Sequence, residues 1–332
     1  MQADQSRRVA ELDDENGAMS NYAIAFDVGG TFVKSAVLDP EGQVIPSTIT
    51  SFPANAKASK AEILTQLMDM IRLQSEQIPV ADGQLAGIGY AFPGPFDYER
   101  GICYVKEADK YESLYGVNVK DELLNRIKAS SLKQRLAEGF GIVFENDAAL
   151  FALGEYNAGQ AASYKRSICM TLGTGTGSAF LEQGRLVKEG EGVPPNGWLY
   201  SLPFRDSITD DYISRRGILR LASEEGLPRE WDVKEIADAA LRGQSPAIRV
   251  FDLFGQELAE LLMPFIRSFH ADAVVIGGQI AKSHLLFEKK LRDGIAGTNA
   301  QLVFSKDTSV STYTGIYPLL NEMWNRAGGA SA

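Results

Sequence analysis

AIAFDVGGTFVKSAVLD, from Ala23 to Asp39, sets two apolar, β-rich runs on either side of a Gly29-Gly30 turn, with Asp27 just before the turn and Thr31 and Lys34 after it. A hairpin of this kind can hold a phosphate. Glycine lets the backbone approach an anion closely, and successive N–H groups at such a turn form a concave donor surface. The carboxylate of Asp27 would repel a bare phosphate, so its presence implies an intervening cation, most simply Mg2+ reached through water. Cation and donor turn together point to a nucleotide. Alone, the same residues also describe an ordinary Gly-Gly hairpin, and the rest of the chain has to decide.

Outward from that stretch, YAIAFDV, FVKSAVLD and GQVIPSTIT read as three consecutive strands of an antiparallel meander, joined by the Gly-Gly turn and by Pro40-Glu41-Gly42. SKAEILTQLMDMIRLQSEQI puts Ile63, Leu67, Met70 and Ile71 on one helical face, with Ser59 as N-cap, and would cover that sheet. LAGIGY returns as a buried strand. The breaker-rich AFPGPFDYERG after it is a loop at a strand's C-terminal end, where ligands bind in α/β sheets. Residues 118–139 read as one or two short helices, GIVFEN as a strand and DAALFALGEY as the helix that leaves it. RSICMTLGTGTGSAFLEQGRLV then repeats the opening design: strand, turn with Gly173, Gly175 and Gly177, strand, with Thr174 and Thr176 as hydroxyl donors in the turn. Two phosphate-cradling hairpins in one chain are much harder to reach by accident than one.

Residues 189–209 are irregular and rich in Pro and Gly, which predicts a surface lid or substrate loop. DDYISRRGILRLASEEG and VKEIADAALRG read as helices. PAIRVFDLFGQELAELLMPFIRSFH reads as a long helix with Leu253, Phe254, Leu258, Leu261, Leu262 and Phe265 inward and Pro264 kinking it. ADAVVIGGQIAKS is a buried strand running into the Gly277-Gly278 turn and a helix, QLVFS a late strand, and TGIYPLLNEMW a closing helix. The three strand–glycine units, far apart in sequence, suggest two similar α/β lobes facing a cleft.

Composition narrows the class. The 332 residues suffice for two domains, and 45% hydrophobic with 23% charged residues is ordinary for a globular protein. With 33 basic and 43 acidic side chains, the formal charge of −10 argues against a general binder of nucleic acid or anionic membranes. Cys103 and Cys169 have neither metal spacing nor a disulfide framework, so a reducing, cytoplasmic setting is expected. No apolar run approaches the roughly 20 residues that a membrane span needs. The polar residues 1–20 read as a disordered leader.

DVGGTFVKSAVLD, GIGYAFPGPFDYERGI, VFENDAALFALGE, TLGTGTGSAF and VVIGGQIAKS, in that order, resemble the ROK family of sugar kinases and related repressors, within the hexokinase/actin-like ATPase superfamily. The resemblance implies two actin-like (ribonuclease H-like) lobes with a central cleft. The small lobe would be 21–145 plus 312–327 and the large lobe 146–311. It implies that Asp27, Gly29, Gly30, Thr31 and Lys34 form the first phosphate motif, that Gly173, Thr174 and Gly175 form the second, and that Gly277 and Gly278 support the adenosine of ATP. It also makes Asp147, directly after Asn146, the catalytic base. A sugar hydroxyl is a weak nucleophile, and a carboxylate must take its proton as the γ-phosphoryl arrives. The helix that Asp147 opens would help keep it ionised; by itself the residue also reads as an N-cap. Asn118 and Asn146 resemble the family's sugar-hydroxyl ligands, since an amide both donates and accepts; Asn118 also reads as a helix N-cap. Gly94 and Pro95 would form the loop beneath the sugar, or a rigid turn.

One region departs from the family pattern. Many members carry a GH dipeptide and a CxCGxxGC cluster that bind a structural zinc; here the region reads EGEGVPPNGWLYSLPFRDSITDDYISRRG, without Cys or His, so no structural zinc is expected. His270 and His284 lie far along the chain and read as structural. Glu191 stands where the family has the glutamate of GExGH, and Asp210 or Asp211 where it has the acid after the cysteines; either could accept from sugar hydroxyls. Trp198 or Tyr200 could stack on a sugar, or anchor the loop.

Three readings are open. The first is an ATP- and Mg2+-dependent, glucokinase-like hexose kinase acting on the 6-hydroxyl, a homodimer by family default, with polyphosphate as an alternative donor and N-acetylhexosamines or other hexoses as alternative acceptors. The second, a sugar-responsive transcription factor, needs a DNA-binding domain that a leader of 20 residues does not supply. The third, a non-catalytic sugar-binding protein, would be marked by loss of Asp147 or of a glycine turn, and all are present.

Overall fold

A computed structural model describes residues 19–79, 83–106 and 110–328. Of the polar leader only Met19 and Ser20 fall within this range, and Ser20 opens the first strand. The described residues divide into two compact units, 19–144 with 319–328, and 145–318.

In the first unit the opening hairpin forms as its pattern predicts. β1 (Ser20–Val28) and β2 (Phe32–Leu38) pair antiparallel, with Asp27 opposite Lys34 and Val28 opposite Val33. The third strand, β3 (Thr50–Pro53), starts later than GQVIPSTIT suggests. Pro46 has no N–H for a ladder and a φ suited to a helix start, so Pro46–Thr48 winds into a 3-10 turn and only Val44 bridges back, to Leu38. The Thr48 hydroxyl accepts from Val37 N–H at 2.8 Å, which replaces the missing partner. α1 (Lys60–Ser75) begins at a capping box of Ser59 and Glu62 and buries Ile63, Leu67, Met70 and Ile71. β4 (Gly83–Ala91) runs parallel to β1, and the short hairpin of β5 (Phe96–Asp97) and β6 (Ile102–Cys103) follows. Then come α2 (Val119–Lys128), a 3-10 turn and β7 (Leu136–Glu145), which begins well before GIVFEN. The sheet order is β3-β2-β1-β4-β7. Its middle is fixed by stacked rings from neighbouring strands: Phe26 on Tyr90 at 4.9 Å and Tyr90 on Phe144 at 5.0 Å.

The second unit repeats the plan. α3 (Asp147–Ala158) leaves β7; β8 (Arg166–Leu172), β9 (Thr176–Glu182) and β10 (Arg185–Val187) form the second meander. Residues 189–209 are less lid-like than their composition suggests. They hold a 3-10 turn and a hairpin of β11 (Pro203–Phe204) and β12 (Ser207–Ile208), and Leu199 is buried in the second core. The Ser178 hydroxyl pins the segment, accepting from Leu199 N–H at 2.8 Å and donating to Gly197 O at 2.7 Å. The expected helix over DDYISRRGILRLASEEG breaks into α4 (Thr209–Tyr212) and α5 (Arg215–Glu224), because the Ser214 side chain caps a new start. After α6 (Val233–Leu241), α7 (Ser245–Phe269) carries Pro264 inside it; Phe254, Leu258, Leu261 and Leu262 are buried, Leu253 and Phe265 only partly. β13 (Ala273–Gly277) lies parallel to β8, with a 3-10 segment, not an α-helix, after its glycines. α8 (Glu288–Ile295), β14 (Gln301–Phe304), α9 (Thr308–Thr314) and α10 (Ile316–Gly328) complete the chain, giving the sheet order β10-β9-β8-β13-β14. Paired glycines bring α3 and α9 into backbone contact: a Cβ on Gly154 would lie 1.8 Å from Ser311 O, and one on Gly315 1.8 Å from Leu150 O.

Candidate active site

In the first unit, the turn between β1 and β2 is closed by Gly29 N–H on Phe32 O at 3.0 Å, and a Cβ on Gly29 would come within 2.8 Å of that oxygen. Gly30 and Thr31 are exposed, while Asp27 and Lys34 face each other across the strands, both half-buried. Two side chains that sequence reasoning missed also reach this turn. The Tyr111 hydroxyl donates to Gly29 O at 2.8 Å across 82 residues of chain. Burial, and then the charge of Asp27, push its phenol above the usual tyrosine range. The stem of Lys110 lies over Gly30, its Cδ 3.3 Å from where a Cβ would stand. Neither residue belongs to a periodic or spaced motif, so the sequence carried no signal for them.

The Gly94-Pro95 bond is cis, and Pro95 O accepts from Tyr104 N–H at 3.0 Å. Asn118 is the N-cap of α2. Its Oδ1 accepts from Asp121 N–H at 3.0 Å and its Nδ2 donates to the Asp121 carboxylate at 2.7 Å, so both ends of the amide expected to hold a sugar are engaged within the chain.

In the second unit, Asn146 caps α3, its Oδ1 accepting from Ala148 N–H at 3.0 Å. Asp147 is the first helical residue and accepts from the same N–H at 2.9 Å. Residues 148–155 are all buried, whereas Asp147 is exposed at the head of the helix. A carboxylate there is favoured by the unpaired N–H groups of the first turn. Behind it, Glu145 accepts from Asn146 N–H at 2.9 Å and pairs with Lys188 at 2.8 Å. Glu191 is exposed in the tight turn where Gly190 bridges to Val193.

The second glycine turn is braced by the segment from α4 to the start of α5. Gly173 N–H donates to Gly175 O at 3.0 Å, Arg215 N–H to Gly173 O at 2.9 Å, and Thr176 N–H to Asp210 Oδ1 at 2.6 Å. Two expectations change here. The Thr176 hydroxyl is buried and donates to Ile213 O at 2.5 Å, so it is not a donor for a ligand. Asp210, expected to face a sugar, turns its carboxylate onto the turn and pairs with Arg216. Thr174 and Gly175 are the exposed residues of the turn. Gly278 backs onto the same turn: its φ is +96° and a Cβ would lie 2.2 Å from Leu172 O, so the fold itself requires glycine. Its N–H donates to the Thr308 hydroxyl at 2.7 Å.

Among the described residues, no group of three or more His, Cys, Asp or Glu is placed to hold a metal ion. A magnesium ion carried by a nucleotide does not need one, since it keeps several waters and uses one or two carboxylates beside the phosphates. Asp27, half-buried at the rim of a donor turn, fits that requirement. His270 ends α7 in the left-handed conformation, and His284 pairs with Glu288 and stacks on Phe304 at 4.2 Å. No described helix is long and apolar enough to cross a membrane.

A glucokinase of Thermotoga maritima is 27% identical over 297 residues, covering 82% of this chain and 86% of that protein. The crystal structure of a glucokinase from Parabacteroides distasonis superposes with a TM-score of 0.72 at 22% identity, covering 93% of this chain and 99% of that one. That of a ROK family glucokinase from Streptomyces griseus in complex with glucose and AMPPNP gives 0.66 at 21% identity, covering 90% and 98%. These structures share the actin-like ATPase fold with the chain. The model of the ROK family matches residues 23–309, from the first strand of the opening hairpin through both later glycine motifs, and the chain therefore belongs to the ROK family.

Proposed function

We propose that the chain is an ATP-dependent hexose kinase of the glucokinase type, which transfers the γ-phosphoryl group to the 6-hydroxyl of glucose or a close relative. The glucokinase relatives support the class. The observation that carries the chemistry is Asp147, an exposed carboxylate at the head of a helix whose next eight residues are buried, directly after a capping asparagine. In the proposed reaction Asp147 takes the proton of the sugar hydroxyl as its oxygen attacks the γ-phosphorus and the bond to the ADP oxygen breaks. Asn146 offers an amide to the sugar, and Glu191 and the Gly94-Pro95 loop are assigned to the sugar as well. Asn118 stays a helix cap. Gly29, Gly30, Thr31 and Lys34 serve the phosphates at the first turn; Gly173, Thr174 and Gly175 serve them at the second, and Gly277 and Gly278 support the adenosine. Asp27 would hold magnesium through water, and the ion, when bound, neutralises charge on the phosphate oxygens. A cytoplasmic homodimer is part of the same proposal.

A coupled assay of glucose, mannose, fructose, allose, N-acetylglucosamine and N-acetylmannosamine, each with ATP and with polyphosphate, tests this reading beside Asp147→Asn. The variant is expected to lose at least ~100-fold in kcat while binding sugar and nucleotide nearly as before. An unimpaired variant removes Asp147 from the mechanism, and no turnover of any sugar by the unmodified chain removes the function.

A further inference from the structure

We infer that Asp210 is a positioning residue for the donor nucleotide, acting through the backbone of the second glycine turn; the inference rests on that turn being a nucleotide site. Its carboxylate is only 15% exposed. One oxygen accepts from Thr176 N–H at 2.6 Å, the other pairs with Arg216, and a Cβ on Gly175 would stand 3.3 Å from the first. The main chain of Asp210 is fixed as well: its N–H donates to Tyr200 O at 3.0 Å and its carbonyl accepts from the Ser214 hydroxyl at 2.5 Å. An anion held this way orders the turn by taking the one amide at its β9 end. The N–H groups of Thr174 and Gly175 make no hydrogen bond among the described residues and are left as the donor pair for a phosphate oxygen.

Charge supports the assignment. A lone carboxylate beside the turn would repel a phosphate, and Arg216, which also reaches Asp211 at 3.6 Å, neutralises it while remaining 56% exposed. The segment that presents Asp210 has a stiff base. Arg205 and Arg220 both pair with Glu257, a buried residue of α7, and both guanidinium groups lie over the Tyr212 ring, at 5.5 and 4.6 Å. Asp210 therefore acts on the turn from a fixed position, with each carboxylate oxygen already held by a donor of the chain itself.

Titration calorimetry with AMPPNP, and separately with whichever sugar the unmodified chain phosphorylates, tests this on Asp210→Ala and Asp210→Asn. Asp210→Ala is expected to weaken AMPPNP binding about 10-fold, to leave sugar affinity within about twofold, and to speed hydrogen exchange at the Thr176 amide. Asp210→Asn keeps an acceptor for that amide and is expected to restore most of the affinity. If Asp210→Ala does not fold, Asp210→Ser, too short to reach the turn, carries the same expectation. Unchanged nucleotide binding in a chain that still phosphorylates sugar overturns this inference alone. So does a loss confined to the sugar, or an asparagine variant as weak as the alanine one. An unmodified chain that binds no AMPPNP overturns both this inference and the kinase reading.

Discussion

Replacing Gly173 by alanine separates what the fold asks of the second turn from what a ligand asks. Among the described residues nothing lies within 4 Å of a Cβ built on Gly173, and its φ is outside the left-handed range. The substitution should leave folding stability within about ±0.5 kcal/mol, or raise it by about 0.4–1 kcal/mol because the unfolded chain loses freedom. A phosphate that approaches this turn closely meets the new methyl group. Loss of one hydrogen bond to a charged group costs about 1.5–3 kcal/mol, which is roughly 10- to 150-fold in nucleotide affinity. Denaturant unfolding reads the first quantity and AMPPNP calorimetry the second. Gly278→Ala is the contrast, since its left-handed φ and a Cβ 2.2 Å from Leu172 O require a loss of stability as well. A Gly173→Ala variant that binds nucleotide like the unmodified chain would refute the placement of a phosphate at this turn.

Two further outcomes follow from packing and burial. Gly154→Ala sets a methyl group 1.8 Å from Ser311 O, a backbone atom that cannot rotate away. The cost should reach about 1–3 kcal/mol, lowering Tm by roughly 2–12 °C, and an unchanged calorimetric Tm would contradict the α3–α9 contact. Burial raises the thiol pKa of both Cys103 and Cys169 above the ordinary cysteine value. The native chain at pH 8 should therefore leave a thiol reagent unreacted, whereas the chain in denaturant consumes two equivalents. The folded pKa values being the higher, this contribution to stability is intact below the unfolded thiol pKa and falls away at more alkaline pH.

Legibility of the fold followed the range of the interactions. The hairpin at Gly29-Gly30, the Ser59 cap and the buried face of α1 were readable because neighbours a few residues apart fix them. GQVIPSTIT misled because β-branched residues suggest a strand while Pro46 cannot join a ladder. The lid expected over 189–209 followed from its Pro and Gly content, but the Ser178 hydroxyl, supplied by β9, pins that segment into the core.

The sequence by itself determined the two glycine turns, the carboxylate after Asn146 and the family that unites them, because each is written in contiguous residues whose backbone demands are local. Tertiary structure alone decided what surrounds them. It brought the Tyr111 hydroxyl to Gly29, engaged the Asn118 amide with Asp121, and set the Asp210 carboxylate against the backbone N–H of Thr176. A side chain's hydrogen-bond partners depend on what packing places within about 3 Å of it, and no local pattern records that.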